Sequence, residues 1–143
     1  MPDIFQHLLI KGSAAEVFGA ISTPAGLDAW WTKACTGAPA PGAEYRLGFG
    51  AGYDWRAQVS RYQPDTEFEL ELTEAQPDWQ GSRVGFHLSG EGDSVQVRFH
   101  HTGWPTDNDH YRISCYCWAL YLRLLKRYVE RGEIVPYEVR LEV

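Results

Sequence analysis

The hydrophobic pattern of this chain is dominated by one long stretch near its C-terminal end. Apolar side chains recur there at alternating steps of four and three residues, which places them on one side of a helix. The members of this stripe are Tyr111, Cys115, Trp118, Leu122, Leu125 and Val129. Asp107 or Asn108 can cap its start, and Gly132 is a candidate for the C-cap. The pattern therefore predicts one long helix over Asn108–Arg131.

The residues at the start of the chain predict a strand and two short helices. Ile4–Ile10 is a short apolar-rich strand. Ser13 and Glu16 have the spacing of a capping box, which begins a first short helix. Thr23 followed by Pro24 is typical of an N-cap and first helical residue, so a second short helix begins there.

Five further strands joined by short turns follow a loop over residues 33–43. Apolar and polar side chains alternate in each of them, as they do in strands with one buried face. The apolar faces consist of Tyr45, Leu47 and Phe49; Tyr53, Trp55, Ala57 and Val59; Phe68, Leu70 and Leu72; Val84, Phe86 and Leu88; and Val95, Val97, Phe99 and His101. Strands connected by such turns pair antiparallel, and each apolar face needs a cover.

The long C-terminal helix is the only predicted element long enough to cover all of these faces. The expected fold is therefore α+β, with a curved antiparallel sheet wrapped around that helix and two short helices after the first strand. This is the helix-grip arrangement, and we expect it to form a single domain over residues 1–143. The tail after Gly132 has β-type residues, and whether it folds along a sheet edge stays open.

The charge of the chain limits the classes of partner that it can bind, and its apolar runs bear on its location. Thirteen basic and nineteen acidic residues give a net charge of −6, with no basic stripe, which argues against nucleic acid and anionic membranes as partners. No apolar run is long enough to span a bilayer, and the N-terminal residues lack the layout of a signal peptide. The expected location is the cytoplasm. The three cysteines are expected to be reduced, packed thiols.

The sequence lacks the common signatures of metal and cofactor sites. It contains no zinc-ligand spacing, P-loop, G-x-S-x-G or dinucleotide-binding fingerprint, so we expect no metal and no cofactor. The polar run from Asp107 to His110 is explained by helix capping. His87 and His100 lie on the polar faces of their strands and are expected to be solvated.

His101 differs from the other histidines because it shares a strand face with Phe99. A buried imidazole needs a hydrogen-bond partner, which Tyr53, Tyr111 or Tyr121 can supply. The simpler interpretation is a satisfied core histidine. The functional interpretation is that His101 is a polar anchor for a ligand, or a general base, inside an apolar pocket.

The order of these segments resembles the START-like superfamily, which includes polyketide cyclases, birch-pollen-allergen-type proteins and lipid-transfer domains. Within it, the chain is most similar to the branch named after the activator of the heat-shock-protein ATPase. The matching segments are Ala15-Glu16-Val17-Phe18, Thr23-Pro24 through Trp30-Trp31, Ser60-Arg61-Tyr62, His101-Thr102-Gly103-Trp104, and Trp118 with Leu122, Leu125 and Gly132. The resemblance spans nearly the whole chain and implies an interior cavity between sheet and long helix.

The resemblance implies that this cavity holds a small apolar or aromatic molecule, lipid-like or polyketide-like. The expected ligand-binding residues are Trp55, Phe86, Phe99, His101, Trp104, Tyr111, Trp118, Tyr121 and Leu122. Trp79 lies in a loop, outside any core pattern, and either covers the cavity mouth or caps the sheet edge. One alternative is a cyclase-like or hydrolase-like enzyme with His101 as the candidate catalytic residue. Another is a module that interacts with a chaperone. A homodimer is left open.

Overall fold

The sheet of the computed structural model, which describes residues 2–143, has seven antiparallel strands. In chain order the elements are β1 (Ile4–Lys11), α1 (Ala14–Ser22), α2 (Pro24–Trp30), β2 (Ala34–Thr36), β3 (Glu44–Gly48), β4 (Asp54–Gln63), β5 (Glu67–Glu74), β6 (Arg83–Glu91), β7 (Ser94–Thr102) and α3 (Asp109–Arg131). The strand order is β1-β7-β6-β5-β4-β3-β2, so β1 and β2 are the edges. The predicted α+β helix-grip fold is confirmed.

The helices begin and end at the residues whose side chains can cap them. Ser13, Thr23 and Asn108 each accept a hydrogen bond from the backbone N–H three residues later. Glu16 completes the predicted capping box by accepting from the Ser13 N–H. The long helix ends at Gly132, whose φ of 66° is the left-handed conformation that glycine adopts at little cost.

The apolar face of the sheet is buried, as the alternation predicted, but its cover is shared among three helices. Phe18 of α1 packs edge-to-face on Phe68, at a ring-centroid distance of 6.3 Å. Trp30 of α2 packs in the same way on Phe86, at 6.0 Å. The expectation that the long helix alone covers these strands is therefore wrong. The short helices are amphipathic enough to bury their own share of the sheet.

Two segments differ from the sequence prediction. The predicted loop over residues 33–43 contains β2, which is three residues long and pairs with β3. So short a strand has too little alternation to be recognised, and its partner determines it. The tail forms no strand. It ends in a 3-10 helix over Tyr137–Glu142, and Arg140 docks it by donating hydrogen bonds to the carbonyls of Asp28 and Thr32.

Candidate functional site

An aromatic cluster fills the space between α3 and the sheet near the start of that helix. Trp79 stacks on Trp118, with ring centroids 5.9 Å apart and an interplanar angle of 17°. Trp55 lies 5.0 Å from Trp79 on its other side, and Trp104 lies 6.1 Å away. Trp31 reaches Trp118 from the end of α2, at 5.2 Å. Side chains from five separate segments of the fold thus meet around one pair of stacked indoles.

A small cavity lies beside this stacked pair. Its volume is about 60 Å³, and it is lined by Trp31, Trp79, Ser114, Cys117, Trp118 and Tyr121. That volume holds about two water molecules, whereas pockets for small ligands are usually about 300–1,000 Å³. In this conformation the cavity is therefore closed to a ligand, and its lining is mostly aromatic.

The structure separates the expected ligand-binding residues into two groups. Trp118 and Tyr121 line the cavity. The other seven lie outside it, and four of these are buried in the packed core: Phe86, Phe99, His101 and Trp104. Trp55 packs on Trp79, and Leu122 faces β1. The Tyr111 hydroxyl donates a hydrogen bond to the Asp3 carbonyl. Strand parity correctly identified buried positions, but parity does not tell a residue that lines a cavity from one that fills the core.

His101 is fully buried and has a partner on each ring nitrogen. The Trp118 indole N–H donates to Nδ1 over 3.1 Å, and Nε2 lies 2.8 Å from the Ser82 hydroxyl. Because Nδ1 accepts, the proton must lie on Nε2, which donates to Ser82. The Ser82 hydroxyl then donates to the carbonyl of Trp79. This chain of hydrogen bonds ties the loop between β5 and β6 to the long helix.

Burial, with smaller contributions from the nearby His100 and His110, lowers the pKa of His101 to about 3. The imidazole is therefore neutral at physiological pH. The expectation that a tyrosine supplies its partner is wrong, because Trp118 and Ser82 already saturate both nitrogens. The arrangement matches the simpler interpretation, a satisfied core histidine.

Trp79 belongs to the core, although its position in a loop gave no sign of this. The loop over residues 75–82 folds inward, so that Trp79 is only 8% exposed. Its indole N–H, like that of Trp104, is buried without an acceptor among the described residues. Leaving such a donor unsatisfied costs about 1–3 kcal/mol, so this loop position carries an energetic penalty.

The same loop is fastened to the start of α3 by a neighbouring carboxylate. Asp78 accepts hydrogen bonds from His110 Nδ1, over 2.9 Å, and from Asn108 Nδ2, over 3.3 Å. These bonds, chiefly the one from His110, lower the pKa of the Asp78 carboxyl. Both partners come from the helix-capping run, 30 and 32 residues away in the chain, so no local sequence pattern predicts this contact.

The outer face of the sheet holds a second polar contact that the sequence did not reveal. His100 was expected to be solvated, but its Nε2 lies 2.6 Å from Glu69, which is buried despite its outward position. Gly85 lies between the two residues in the register of β5, β6 and β7. A Cβ at Gly85 would lie 2.5 Å from the imidazole, so only glycine lets the two side chains meet.

The described residues contain no candidate cluster for a metal ion and no helix suited to crossing a membrane. Within residues 2–143, no three His, Cys, Asp or Glu side chains are grouped in a way that can hold a metal ion. Among the helices of that range, none combines the length and the apolar character needed to cross a bilayer.

Comparison with solved structures finds close relatives of this fold. The Aha1 dimer from Colwellia psychrerythraea superposes with a TM-score of 0.83 at 28% identity, over 93% of this chain and 99% of the relative. Protein MLL2253 from Mesorhizobium loti superposes with a TM-score of 0.80 at 17% identity, over 93% of this chain and 100% of MLL2253. CalU16 from Micromonospora echinospora superposes with a TM-score of 0.73 at 19% identity, over 98% of this chain and 82% of CalU16.

Sequence comparison assigns the family. No curated protein sequence matches the chain significantly. The family model described as activator of Hsp90 ATPase homolog 1-like protein matches residues 11–130, which is most of the chain. That range extends from the end of β1 to the last turn of α3 and includes the whole aromatic cluster. The chain therefore belongs to the activator of Hsp90 ATPase homolog 1-like family.

Proposed function

We propose that this protein binds a small aromatic molecule in the cavity beneath Trp79, which enlarges when the loop over residues 75–82 moves outward. The observation that carries the proposal is the buried N–H of Trp79, which has no acceptor among the described residues and belongs to a side chain that lines this cavity. A ligand with a hydrogen-bond acceptor would satisfy that donor and stack on the surrounding rings. Both effects favour the open, occupied state.

The loop is the element best able to move. It is held to α3 through Asp78, whose bonds to Asn108 and His110 lie at the partly exposed surface, where water competes with them. The rest of the cavity wall belongs to α2 and α3, which are tied to the sheet by extensive burial. Opening therefore requires the two hydrogen bonds of Asp78 to break and the Trp79 ring to leave the core. The hydrogen bonds of Ser82 to Trp79 and His101 must also rearrange.

The first test fills the cavity from the helix side. Ser114 lines the cavity and is buried, so Ser114→Leu places a larger apolar side chain in the space that a ligand needs. We expect binding of an aromatic probe such as 1-naphthol, measured by quenching of tryptophan fluorescence, to weaken at least tenfold. The matched control Ser114→Ala keeps the space and is expected to bind as the unmodified protein does. Equal binding by both variants would place the ligand elsewhere.

A second test concerns the attachment of the loop. Asp78→Ala removes both hydrogen bonds to α3, and we expect the probe to associate about tenfold faster in stopped-flow fluorescence because the loop opens more often. Asp107→Ala is the control, since Asp107 is an exposed carboxylate near the same helix end that contacts Arg112 instead. The proposal of a moving loop fails if Asp78→Ala and Asp107→Ala associate at the same rate.

The enzyme alternative has less support. Both ring nitrogens of His101 are engaged, and the ring is fully buried, so no atom of it is free to take a substrate proton. The chaperone-module alternative calls for a large exposed apolar surface. The exposed large apolar side chains are instead spread over β1, the turn before β4, α3 and the C-terminal tail. We assign those of β1, Phe5 and Leu9, to contacts between copies of the chain.

We also propose that the protein self-associates. The relative from Colwellia psychrerythraea is described as a dimer, and it matches this chain over 99% of its own length. A homodimer is the simplest assembly for a chain of this size and family.

A further inference from the structure

The open edge of the sheet at β1 takes no part in the aromatic site. β1 is the terminal strand and pairs only with β7. Gly12, just after the strand, donates its N–H to the Asp93 carbonyl, so even-numbered residues direct their backbone groups toward β7. The odd-numbered residues of β1 therefore direct theirs toward the open edge.

Side chains of α3 occupy the two ends of this edge. The Tyr111 hydroxyl donates to the Asp3 carbonyl over 2.7 Å. Near the other end, Lys126 Nζ donates to the Leu9 carbonyl, also over 2.7 Å. These contacts protect the ends of the edge from further pairing, as natural edge strands require. The segment between them has no such protection.

The open segment is short and defined. The N–H and C=O groups of Phe5 and His7, together with the N–H of Leu9, face outward with no hydrogen-bond partner within residues 2–143. Phe5 is 70% exposed and Leu9 is 48% exposed. Their neighbours on β7 are the polar residues His100 and Gln96, which leave both apolar side chains substantially exposed.

The exposed side chains along this segment are self-complementary. Every second side chain of this strand lies on the same exposed face, in the order Asp3, Phe5, His7, Leu9 and Lys11. A two-fold axis through His7 places Asp3 opposite Lys11 of a second copy and Phe5 opposite Leu9. Each acid then meets a base and each apolar side chain meets another, which is the pattern an isologous contact requires.

We propose that β1 is the surface through which two copies of this chain associate, pairing antiparallel about a two-fold axis at His7. The inference rests on the proposed self-association and names its surface. The two His7 residues then exchange backbone hydrogen bonds in both directions, and the Leu9 N–H donates to the Phe5 carbonyl of the other copy. The Phe5 N–H donates in turn to the Leu9 carbonyl, which has a second lone pair beside the one that accepts from Lys126. These bonds use every open group of the segment, and the two sheets become one continuous sheet.

The space beside the strand accommodates this contact. A groove of about 200 Å³ runs between β1 and α3, lined by Gln6, His7, Leu8, Ala119, Leu122 and Arg123. Side chains of the second β1 that point toward the helix enter this groove from the open edge. Tyr116, 77% exposed one turn before Ala119, extends the apolar surface along α3.

The backbone pairing is tested by His7→Pro in the full-length chain. Proline removes the N–H at the two-fold axis, which has no partner in the monomer, so the fold should be retained. We expect the dimer dissociation constant, measured by sedimentation velocity over a range of concentrations, to rise at least tenfold. His7→Ala keeps the N–H and should remain close to the unmodified protein. Circular dichroism checks that each variant is folded.

The register is tested by exchanging charges. Lys11→Asp places one acid opposite Asp3 in each half of the contact, and we expect this repulsion to weaken the dimer about tenfold. Adding Asp3→Lys restores opposite charges and should recover most of the lost affinity. Asp3 also accepts from the Gly103 N–H, so the double variant is compared with Asp3→Lys alone.

The outcomes separate the two proposals. An unmodified protein that is monomeric at every concentration overturns the self-association and this surface together. A dimer that His7→Pro leaves intact, or whose charge variants show no rescue, overturns only the β1 surface. Loss of the dimer in His7→Pro, retention in His7→Ala and rescue by the double variant support the proposed pairing.

Discussion

Replacing His101 with Phe is expected to lower the free energy of unfolding by about 2–4 kcal/mol. The substitution leaves the buried Trp118 N–H without an acceptor and removes the hydrogen bond to Ser82. The ring size is nearly conserved, so little of this loss comes from packing. Chemical denaturation with urea measures it directly. The chain of hydrogen bonds through His101 is the reason to expect this effect on stability.

A double-mutant cycle identifies the origin of the loss. Trp118→Phe removes the indole donor, so that His101→Phe no longer leaves it unsatisfied in the combined variant. We expect the two losses to be sub-additive by about 1 kcal/mol or more. Additive losses would mean that the two side chains stabilise the fold independently, and the role of His101 as a hydrogen-bond hub would be wrong.

The pH dependence of stability gives an independent readout of the same residue. The pKa of His101 in the folded protein is about 3, below the unfolded value of about 6.5. Between these values the unfolded chain binds more protons, so stability falls as the pH is lowered through this window, with a slope of at most about 1.4 kcal/mol per pH unit. In His101→Phe this contribution disappears, and the curve should flatten between pH 4 and 6.

The sequence predicted the fold well because its main features depend on local periodicity. Alternation in the strands determines which side chains face inward, and the caps at Ser13, Thr23 and Asn108 determine where the helices begin. Strand parity alone indicated that His101 points inward, and the structure agrees. These features need no knowledge of which distant segments meet.

The candidate site was harder to predict because it depends on which distant segments come together. Trp79 reaches the core only because its loop folds inward, and no periodicity describes a loop. The contact of Glu69 with His100 depends on the register of three strands and on Gly85 between them. A lone glycine inside a strand pattern was the one available signal, since it often marks a close approach of neighbouring groups.

Replacing Trp79 with Ala is expected to lower the free energy of unfolding by about 2–4 kcal/mol. Truncating a buried aromatic residue usually costs about 3–5 kcal/mol, and removing an unsatisfied N–H offsets part of that cost. Trp79→Phe is the matched control, because it removes the donor and keeps an aromatic ring, although a smaller one. We expect that control to lose about 1 kcal/mol or less in urea denaturation, since the N–H makes no hydrogen bond.

The same variant should gain a binding site for free indole. Removing the side chain beside the existing cavity of about 60 Å³ opens a space on the order of 150–200 Å³, comparable to an engineered apolar cavity that admits benzene. Indole should then raise the midpoint of thermal unfolding of Trp79→Ala in a concentration-dependent way, because it binds only the folded state. It should leave Trp79→Phe nearly unchanged. If indole stabilises neither variant, the space beneath Trp79 is not a ligand site, because neighbouring side chains collapse into it once the ring is removed.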